Sequence, residues 1–109
     1  MRRGEIWTAA AGSGYAGKPR PVVIVQDDHF DATDSVTVCA FTTDPTSAPL
    51  FRLAVVPDEV NGLHEPCNLM VDKITTVPRS KLGPQVGRLA DDDMLRLARP
   101  MLVFLGLAT

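Results

Sequence analysis

The feature that most constrains the fold is a run of β-branched residues, PVVIVQ, at positions 21–26. Continuous β-branched runs of this length are typical of strands that are buried on both faces. Proline is tolerated as the first residue of such a strand, because no ladder donor is needed there. The chain also has nine prolines and eight glycines, which implies many tight connections. These features predict a mostly β protein rather than a helical bundle.

Six other short segments have strand character and are separated by loops. They are Gly4–Ala9, Val36–Phe41, Phe51–Val56, Cys67–Val71, Lys73–Val77 and Val86–Leu89. Strand side chains alternate, so Ile6 and Trp7 are expected on opposite faces of the first strand. One helical turn is expected within residues 27–35, and Asn61-Gly62 is a turn signal. The length of 109 residues, without a linker or a repeat, predicts a single domain over residues 1–109.

The C-terminal segment is predicted to form an amphipathic helix. Asp91 is the expected N-cap, and Gly106 is the expected stop. Between them, apolar residues recur at helical spacing: Met94, Leu97, Ala98, Met101, Phe104 and Leu105. Pro100 conflicts with this pattern, because proline costs about 3 kcal/mol inside a regular helix. We therefore expect a kinked helix, and the alternative is a helix ending near Arg99 followed by a strand at 101–105.

Composition argues against several classes of protein. No apolar run approaches the roughly 20 residues of a membrane span, and the N-terminus lacks the apolar stretch of a secretory signal. We expect a cytoplasmic protein without membrane association. In that reducing compartment, Cys39 and Cys67 are expected to be buried free thiols. His64 precedes Cys67 by three residues, but one such pair is a weak indication of metal binding, so no metal or cofactor is predicted.

The charge is unevenly distributed along the chain. The net charge is −2, which gives no global sign of nucleic-acid binding. However, residues 1–25 and 67–90 each carry a net charge of +3, whereas residues 26–66 carry −7. If the two basic segments are adjacent in the fold, they form a local positive surface that attracts phosphates. Solvated loops are the alternative explanation.

Two residues at strand ends have side chains suited to chemistry on an RNA phosphodiester. Arg20 stands between a Gly-rich loop and the buried strand, and Thr42 follows another strand. Cleavage without a metal needs attack by the 2′-hydroxyl, proton transfer, and a cation that stabilises charge on the phosphoryl oxygens. A guanidinium suits the last role, because its planar fork matches phosphate oxygens. On these residues alone, an ordinary surface arginine and a turn threonine are the simpler explanation.

The order of four segments along the chain favours a functional role for Arg20 and Thr42. They are RGEIW at 3–7, KPRPVVIV at 18–25, VTVCAFTT at 36–43 and VDKITTV at 71–77. With the amphipathic C-terminal segment, this order resembles the MazF/PemK/Kid family of toxins from bacterial toxin–antitoxin pairs. The resemblance implies an SH3-like β-barrel of the MazF/CcdB type that forms a homodimer. It also implies a metal-independent, sequence-specific endoribonuclease that cuts single-stranded RNA, leaves 5′-hydroxyl ends, and is inhibited by a MazE-like antitoxin.

Carried over position by position, the resemblance implies that Arg20 and Thr42 are catalytic. Asp72 matches an acidic position that some members use in RNA contact or catalysis, and a surface acid paired with Lys73 is the alternative. The arginine that some members have two residues before this acid is replaced here by Met70.

The first loop also departs from the family pattern. Many members have Glu-Gln there, preceded by Ser or His, whereas those positions fall on Tyr15 and Gly14 here. Ser13, Tyr15 and Lys18 are the RNA-binding candidates in this loop: Tyr15 by stacking on a base, and Lys18 by binding phosphate. Exposed residues without a role are the alternative. The general base is therefore not identified.

Two other interpretations of the chain stay open. One is a non-catalytic, CcdB-like gyrase-binding toxin of the same fold, and the other is a catalytically silent SH3-like binding module. The C-terminus GLAT at 106–109 lacks the Trp-containing tail that we associate with gyrase poisons, and Arg20-Pro21 favours the nuclease. His29 and His64 have the imidazole that acid–base catalysis often uses, but both are expected in loops away from the site.

Overall fold

The computed structural model describes residues 1–10, 19–45, 48 and 50–109. Within these ranges there are seven strands and one α-helix: β1 (Glu5–Ala9), β2 (Arg20–Ile24), β3 (Ser35–Thr42), β4 (Arg52–Val55), β5 (Cys67–Met70), β6 (Thr75–Pro78), β7 (Leu82–Arg88) and α1 (Asp91–Phe104). Short 3-10 turns occur at Asp28–Phe30, Val71–Lys73 and Arg79–Lys81. The prediction of a mostly β protein with a C-terminal helix is confirmed, and so is the helical turn expected after β2.

The strands form one antiparallel sheet in which β3 is the centre. The hydrogen-bonded order is β4-β5-β3-β2-β1-β7, and β6 also pairs with β3. One edge of β3 pairs with β2, and the other edge pairs with β6 at its start and with β5 at its end. In the described part of the chain, no ladder joins β4 to β7, so the sheet path stays open. The two strands in the middle of this path, β3 and β2, carry the predicted site residues Thr42 and Arg20 at their ends.

Apolar side chains fill both faces of the sheet. A first cluster, which includes a residue of α1, is formed by Ile6, Val23, Val25, Cys39, Phe41, Val55, Leu63, Cys67, Leu69, Val71, Leu89 and Leu97. A second cluster is formed by Ala9, Val22, Ile24, Val36, Val38, Ala40 and Val77. Ile6 belongs to the first cluster and Trp7 packs against the second, so their expected placement on opposite faces is confirmed. The expectation that the central run of β2 is buried on both faces is confirmed as well.

The helix α1 continues through Pro100 to Phe104, so the alternative of a strand at 101–105 is wrong. Leu97 is fully buried, and Met94 and Met101 pack against the first cluster on either side of it. Burial of these side chains in the core offsets the hydrogen bond that proline removes. Tertiary packing therefore outweighs the local preference.

The two ends of α1 differ from each other in how they are capped. Ala90 is the N-cap and Asp91 is the first helical residue, so the prediction of Asp91 as the cap is wrong. The Asp91 carboxylate instead accepts a hydrogen bond from Arg88. At the other end, the predicted stop is confirmed: Gly106 has a φ of 76°. The Leu107 amide donates to the Leu102 carbonyl at 2.8 Å, and the Gly106 amide donates to the Val103 carbonyl at 3.0 Å. These two hydrogen bonds form a Schellman motif.

The connection between β4 and β5 is held together by a buried amide. Asn61 is completely buried. Its Oδ1 accepts hydrogen bonds from the amides of Asp58 (3.1 Å) and Leu63 (3.0 Å), and its Nδ2 donates to the carbonyl of Val56 (2.9 Å). All polar atoms of the side chain are therefore used within the connection, which fixes its path.

Two glycines let this connection lie directly against β7. Gly62 has a φ of 70°, which confirms the predicted turn, and a Cβ there would lie 2.2 Å from the carbonyl oxygen of Val86. A Cβ at Gly87 would lie 2.4 Å from the carbonyl oxygen of Val60. The Arg88 amide also donates to the Val60 carbonyl at 3.0 Å. The backbones approach this closely because neither glycine has a side chain.

Gly62→Ala is expected to lower the free energy of unfolding more than Gly106→Ala. Both residues have positive φ, so each alanine carries a backbone strain of about 1–2 kcal/mol. At Gly62 the added Cβ must also displace β7, which costs about 1–3 kcal/mol more. At Gly106 no atom lies within 4 Å of the added Cβ. Urea denaturation of the two variants measures the difference, and equal losses would contradict the packing described here.

Candidate active site

The register between β2 and β3 brings the two predicted catalytic residues to one place. Val22 lies opposite Ala40, and Ile24 lies opposite Val38. The ladder ends at the Val22–Ala40 pair, two residues short of Arg20 on β2 and two residues short of Thr42 on β3. Both residues therefore lie at the same end of this strand pair.

Arg20 presents a guanidinium that has no partner among the residues that the structure describes. The residue is exposed at the first position of β2. Within the described ranges it makes no hydrogen bond or ion pair, whereas Arg52 and Arg96 are bound to carboxylates. An exposed, unpaired guanidinium beside a strand end is free to bind an anion such as phosphate.

A groove of about 410 Å³ lies beside Arg20. We call it the Arg20 groove, and its described lining residues are Thr8, Pro19, Arg20, Pro21, Thr43, Gly62, Leu63, His64, Glu65, Cys67 and Val86. The lining includes Thr43, the residue after β3, but not Thr42, so Arg20 and Thr42 are not both part of this groove. The expectation that His64 lies away from Arg20 is wrong, since both line this groove. Neither the spacing of His64 nor its local sequence contained a signal for this proximity.

Thr42 is held at the end of β3 by the turn that follows it. Its Oγ1 accepts a hydrogen bond from the amide of Asp44 at 3.2 Å. Asn68, which lies opposite Thr42 on β5, donates from Nδ2 to the carbonyl of Asp44 at 3.2 Å. In this hydrogen bond Oγ1 is the acceptor, so the hydroxyl proton of Thr42 can still be donated to a ligand.

Asp72 is paired with an arginine that the sequence analysis did not single out. Arg52 donates from Nε to Asp72 Oδ1 at 3.0 Å and from Nη2 to Oδ2 at 3.3 Å. The two side chains are 15% and 22% exposed, so the pair is largely shielded from water. Arg52 lies opposite Met70 in the β4–β5 ladder, so a neighbouring strand supplies a guanidinium next to that methionine. The partner of Asp72 is therefore Arg52 rather than Lys73.

The two basic segments, residues 1–25 and 67–90, are adjacent in the fold. Ala9 lies opposite Arg20 on one side and opposite Leu82 on the other. The Ala10 amide donates to the carbonyl of Lys81, which directly precedes β7. The other three candidates, Ser13, Tyr15 and Lys18, lie outside the described residues.

Both cysteines are buried and free, as predicted. Burial raises the pKa of the Cys39 thiol to about 12, and burial is also the main cause of the raised pKa of Cys67. Cys67 shares the Arg20 groove with His64, but the described residues contain no group of three His, Cys, Asp or Glu side chains that could hold a metal ion. No helix in the described part of the chain has the length and apolar character of a membrane span.

Solved structures share this architecture. A mycobacterial endoribonuclease in complex with its cognate antitoxin superposes with a TM-score of 0.83 at 22% identity, covering 100% of this chain and 98% of that one. The Mycobacterium tuberculosis toxin MazF-mt6 superposes with a TM-score of 0.80 at 28% identity, covering 96% of this chain and 99% of that one.

Sequence comparison identifies relatives over nearly the full length. The chain is 60% identical over 108 residues to a protein of Mycolicibacterium smegmatis named probable endoribonuclease MazF. The alignment covers 99% of each of the two chains. A family model described as PemK-like, MazF-like toxin of type II toxin–antitoxin system matches residues 2–105. The chain therefore belongs to the family of PemK-like, MazF-like toxins of type II toxin–antitoxin systems.

Proposed function

We propose that this chain is a metal-independent endoribonuclease toxin that cuts single-stranded RNA with Arg20 and Thr42. The observation that carries the proposal is the exposed guanidinium of Arg20 at the start of β2, which has no partner among the described residues and lies at the same end of the β2–β3 pair as Thr42. Family membership and 60% identity to a probable endoribonuclease support it. They give no support to the alternative of a gyrase-binding toxin.

The arrangement suits cleavage by the RNA's own 2′-hydroxyl. The 2′-oxygen forms a bond to the adjacent phosphorus while the bond from phosphorus to the 5′-oxygen breaks, giving a 2′,3′-cyclic phosphate and a 5′-hydroxyl. Negative charge grows on the non-bridging oxygens in this step. Arg20 stabilises that charge through its planar fork, and the Thr42 hydroxyl donates to a second oxygen. Both groups are placed by strands, so little reorganisation is needed when the substrate binds.

The partners follow from the same proposal. A related mycobacterial endoribonuclease is found in complex with its cognate antitoxin, and we infer that this chain also binds a MazE-like antitoxin, which inhibits it. We also infer a homodimer, because the end of α1 and the residues after it expose a group of large apolar side chains: Leu102, Val103, Phe104, Leu105 and Leu107. Cellular RNA is the substrate, so the proposed place of action is the cytoplasm.

Arg20→Ala is expected to lower the rate of RNA cleavage by at least about 100-fold, because it removes the group that stabilises the developing charge. The assay uses purified protein and a synthetic single-stranded RNA in excess chelator. Arg88→Ala is the matched control. Arg88 is an exposed residue of β7 that lies opposite the first residue of β1, whereas Arg20 lies opposite the last, roughly 13 Å further along that strand. Full activity of Arg20→Ala, or cleavage that stops in chelator, would refute the proposal.

Thr42→Ala is expected to lower kcat by at least about tenfold, because a hydrogen bond to a charged phosphoryl oxygen contributes about 1.5–3 kcal/mol. Thr42→Ser keeps the hydroxyl and is expected to keep most of the turnover. Far-UV circular dichroism checks that the fold is retained. Thr43→Ala is the informative comparison, because Thr43 lines the Arg20 groove. Loss of turnover in that variant, with normal turnover in Thr42→Ala, would move the assignment to Thr43.

We propose that Asp72 has a structural role as the partner of Arg52 and does not contact RNA directly. Asp72→Asn is therefore expected to lower the free energy of unfolding by about 1–3 kcal/mol, because a shielded guanidinium loses its counter-charge. Asp91→Asn is the control: its pair with Arg88 is 87% and 59% exposed and contributes little. A double-mutant cycle of Asp72→Asn with Arg52→Gln measures the coupling. A coupling near zero, with loss of RNA binding alone, would instead make Asp72 a direct RNA contact.

A further inference from the structure

The wall of the Arg20 groove that is formed by the β4–β5 connection carries two polar side chains, His64 and Glu65. Both residues are exposed. Their side chains make no hydrogen bond or ion pair with any other residue that the structure describes. They are therefore available to whatever enters the groove.

This wall is fixed in place rather than loosely attached. Leu63, directly before His64, is buried, and its amide is bound by the side chain of Asn61. On the other side, the thiol of Cys67 donates to the carbonyl of Glu65 at 3.1 Å. The glycine contacts with β7 hold the start of the segment. A recognition group on so constrained a segment costs little conformational entropy when it binds a ligand.

The groove is large enough for a nucleobase, and its lining suits one. Its volume of about 410 Å³ lies within the range for small-molecule sites. Pro21, Cys67 and Val86 give it apolar surface, against which the flat face of a base packs. Arg20 lines the same groove and is the group that would hold the adjoining phosphate.

The carboxylate of Glu65 determines which hydrogen-bonding groups of a base can bind beside it. It repels phosphate and, when ionised, acts as an acceptor alone, so its partner must be a hydrogen-bond donor. Cytosine, adenine and guanine present exocyclic amino groups, whereas uracil presents carbonyl oxygens and has a single N–H. Single-stranded RNA exposes these base edges because its bases can be splayed out.

We propose that the Arg20 groove is a specificity subsite for the nucleobase next to the phosphate held by Arg20, and that Glu65 selects an amino-bearing base there, with His64 lying beside it. The inference rests on the proposed RNA cleavage and extends it. It assigns sequence preference at one nucleotide position to the β4–β5 connection.

The test compares cleavage-site profiles of the wild type, Glu65→Gln and His64→Ala on a pool of single-stranded RNA with randomised sequence, by sequencing the 5′-hydroxyl ends. For the wild type, uracil is expected to be depleted at one position adjacent to the cut. Glu65→Gln is expected to reduce that discrimination about 5-fold to 100-fold, the effect of losing one specific base contact. Glu59→Gln makes the same charge change at an exposed position of the same connection, outside the groove lining, and is expected to keep the wild-type profile.

Binding of a non-cleavable oligonucleotide, with 2′-deoxyribose at the cut, separates this inference from the proposed function. If the wild type cleaves but Glu65→Gln and His64→Ala keep its profile, the subsite is refuted and the nuclease stands. If the wild type binds with base preference that Glu65→Gln removes but does not cleave, the subsite stands and the nuclease is refuted. Absence of both cleavage and binding refutes both.

Discussion

The β2–β3 ladder is the constraint on which the rest of the site depends. The central residues of both strands are buried on both faces. A slip of one residue would therefore move the side chains of each core cluster to the opposite face of the sheet. The same register brings Arg20 and Thr42 to one end of the strand pair. Core packing therefore sets where these two polar residues lie, although neither belongs to a core cluster. Residues placed in this way by buried strands need little rearrangement when a ligand binds.

The second wall of the site comes from a different kind of constraint. The β4–β5 connection contains no strand or helix in its middle part, yet Asn61 satisfies its backbone polar groups from a fully buried position. Gly62 and Gly87 then allow it to approach the backbone of β7. This combination gives a loop the fixed position that a recognition surface needs. It also brings an acidic segment of the chain to a basic strand end, so the cationic side chain of Arg20 and the acidic side chain of Glu65 line the same groove.

Much of the fold could be predicted from local patterns. The β-branched run of β2, the alternation of Ile6 and Trp7, and the Gly106 stop follow from the preferences of a few neighbouring residues, and the structure confirms them. The expected helix through Pro100 is also confirmed, because Leu97 and its neighbours are held in the core. The prediction of Asp91 as the N-cap is wrong, since Asp91 is the first helical residue.

By itself, the sequence determined the strands, the C-terminal helix and the family pattern that singles out Arg20 and Thr42, because each depends on residues close together along the chain. Only the tertiary structure decided that Arg52 partners Asp72, and that His64 and Glu65 line a groove with Arg20. These contacts join residues 20 to 45 positions apart, and they depend on ladder register and on the packing of one connection against β7. No local periodicity or charge pattern encodes such a contact, since it forms only when separate segments are packed together.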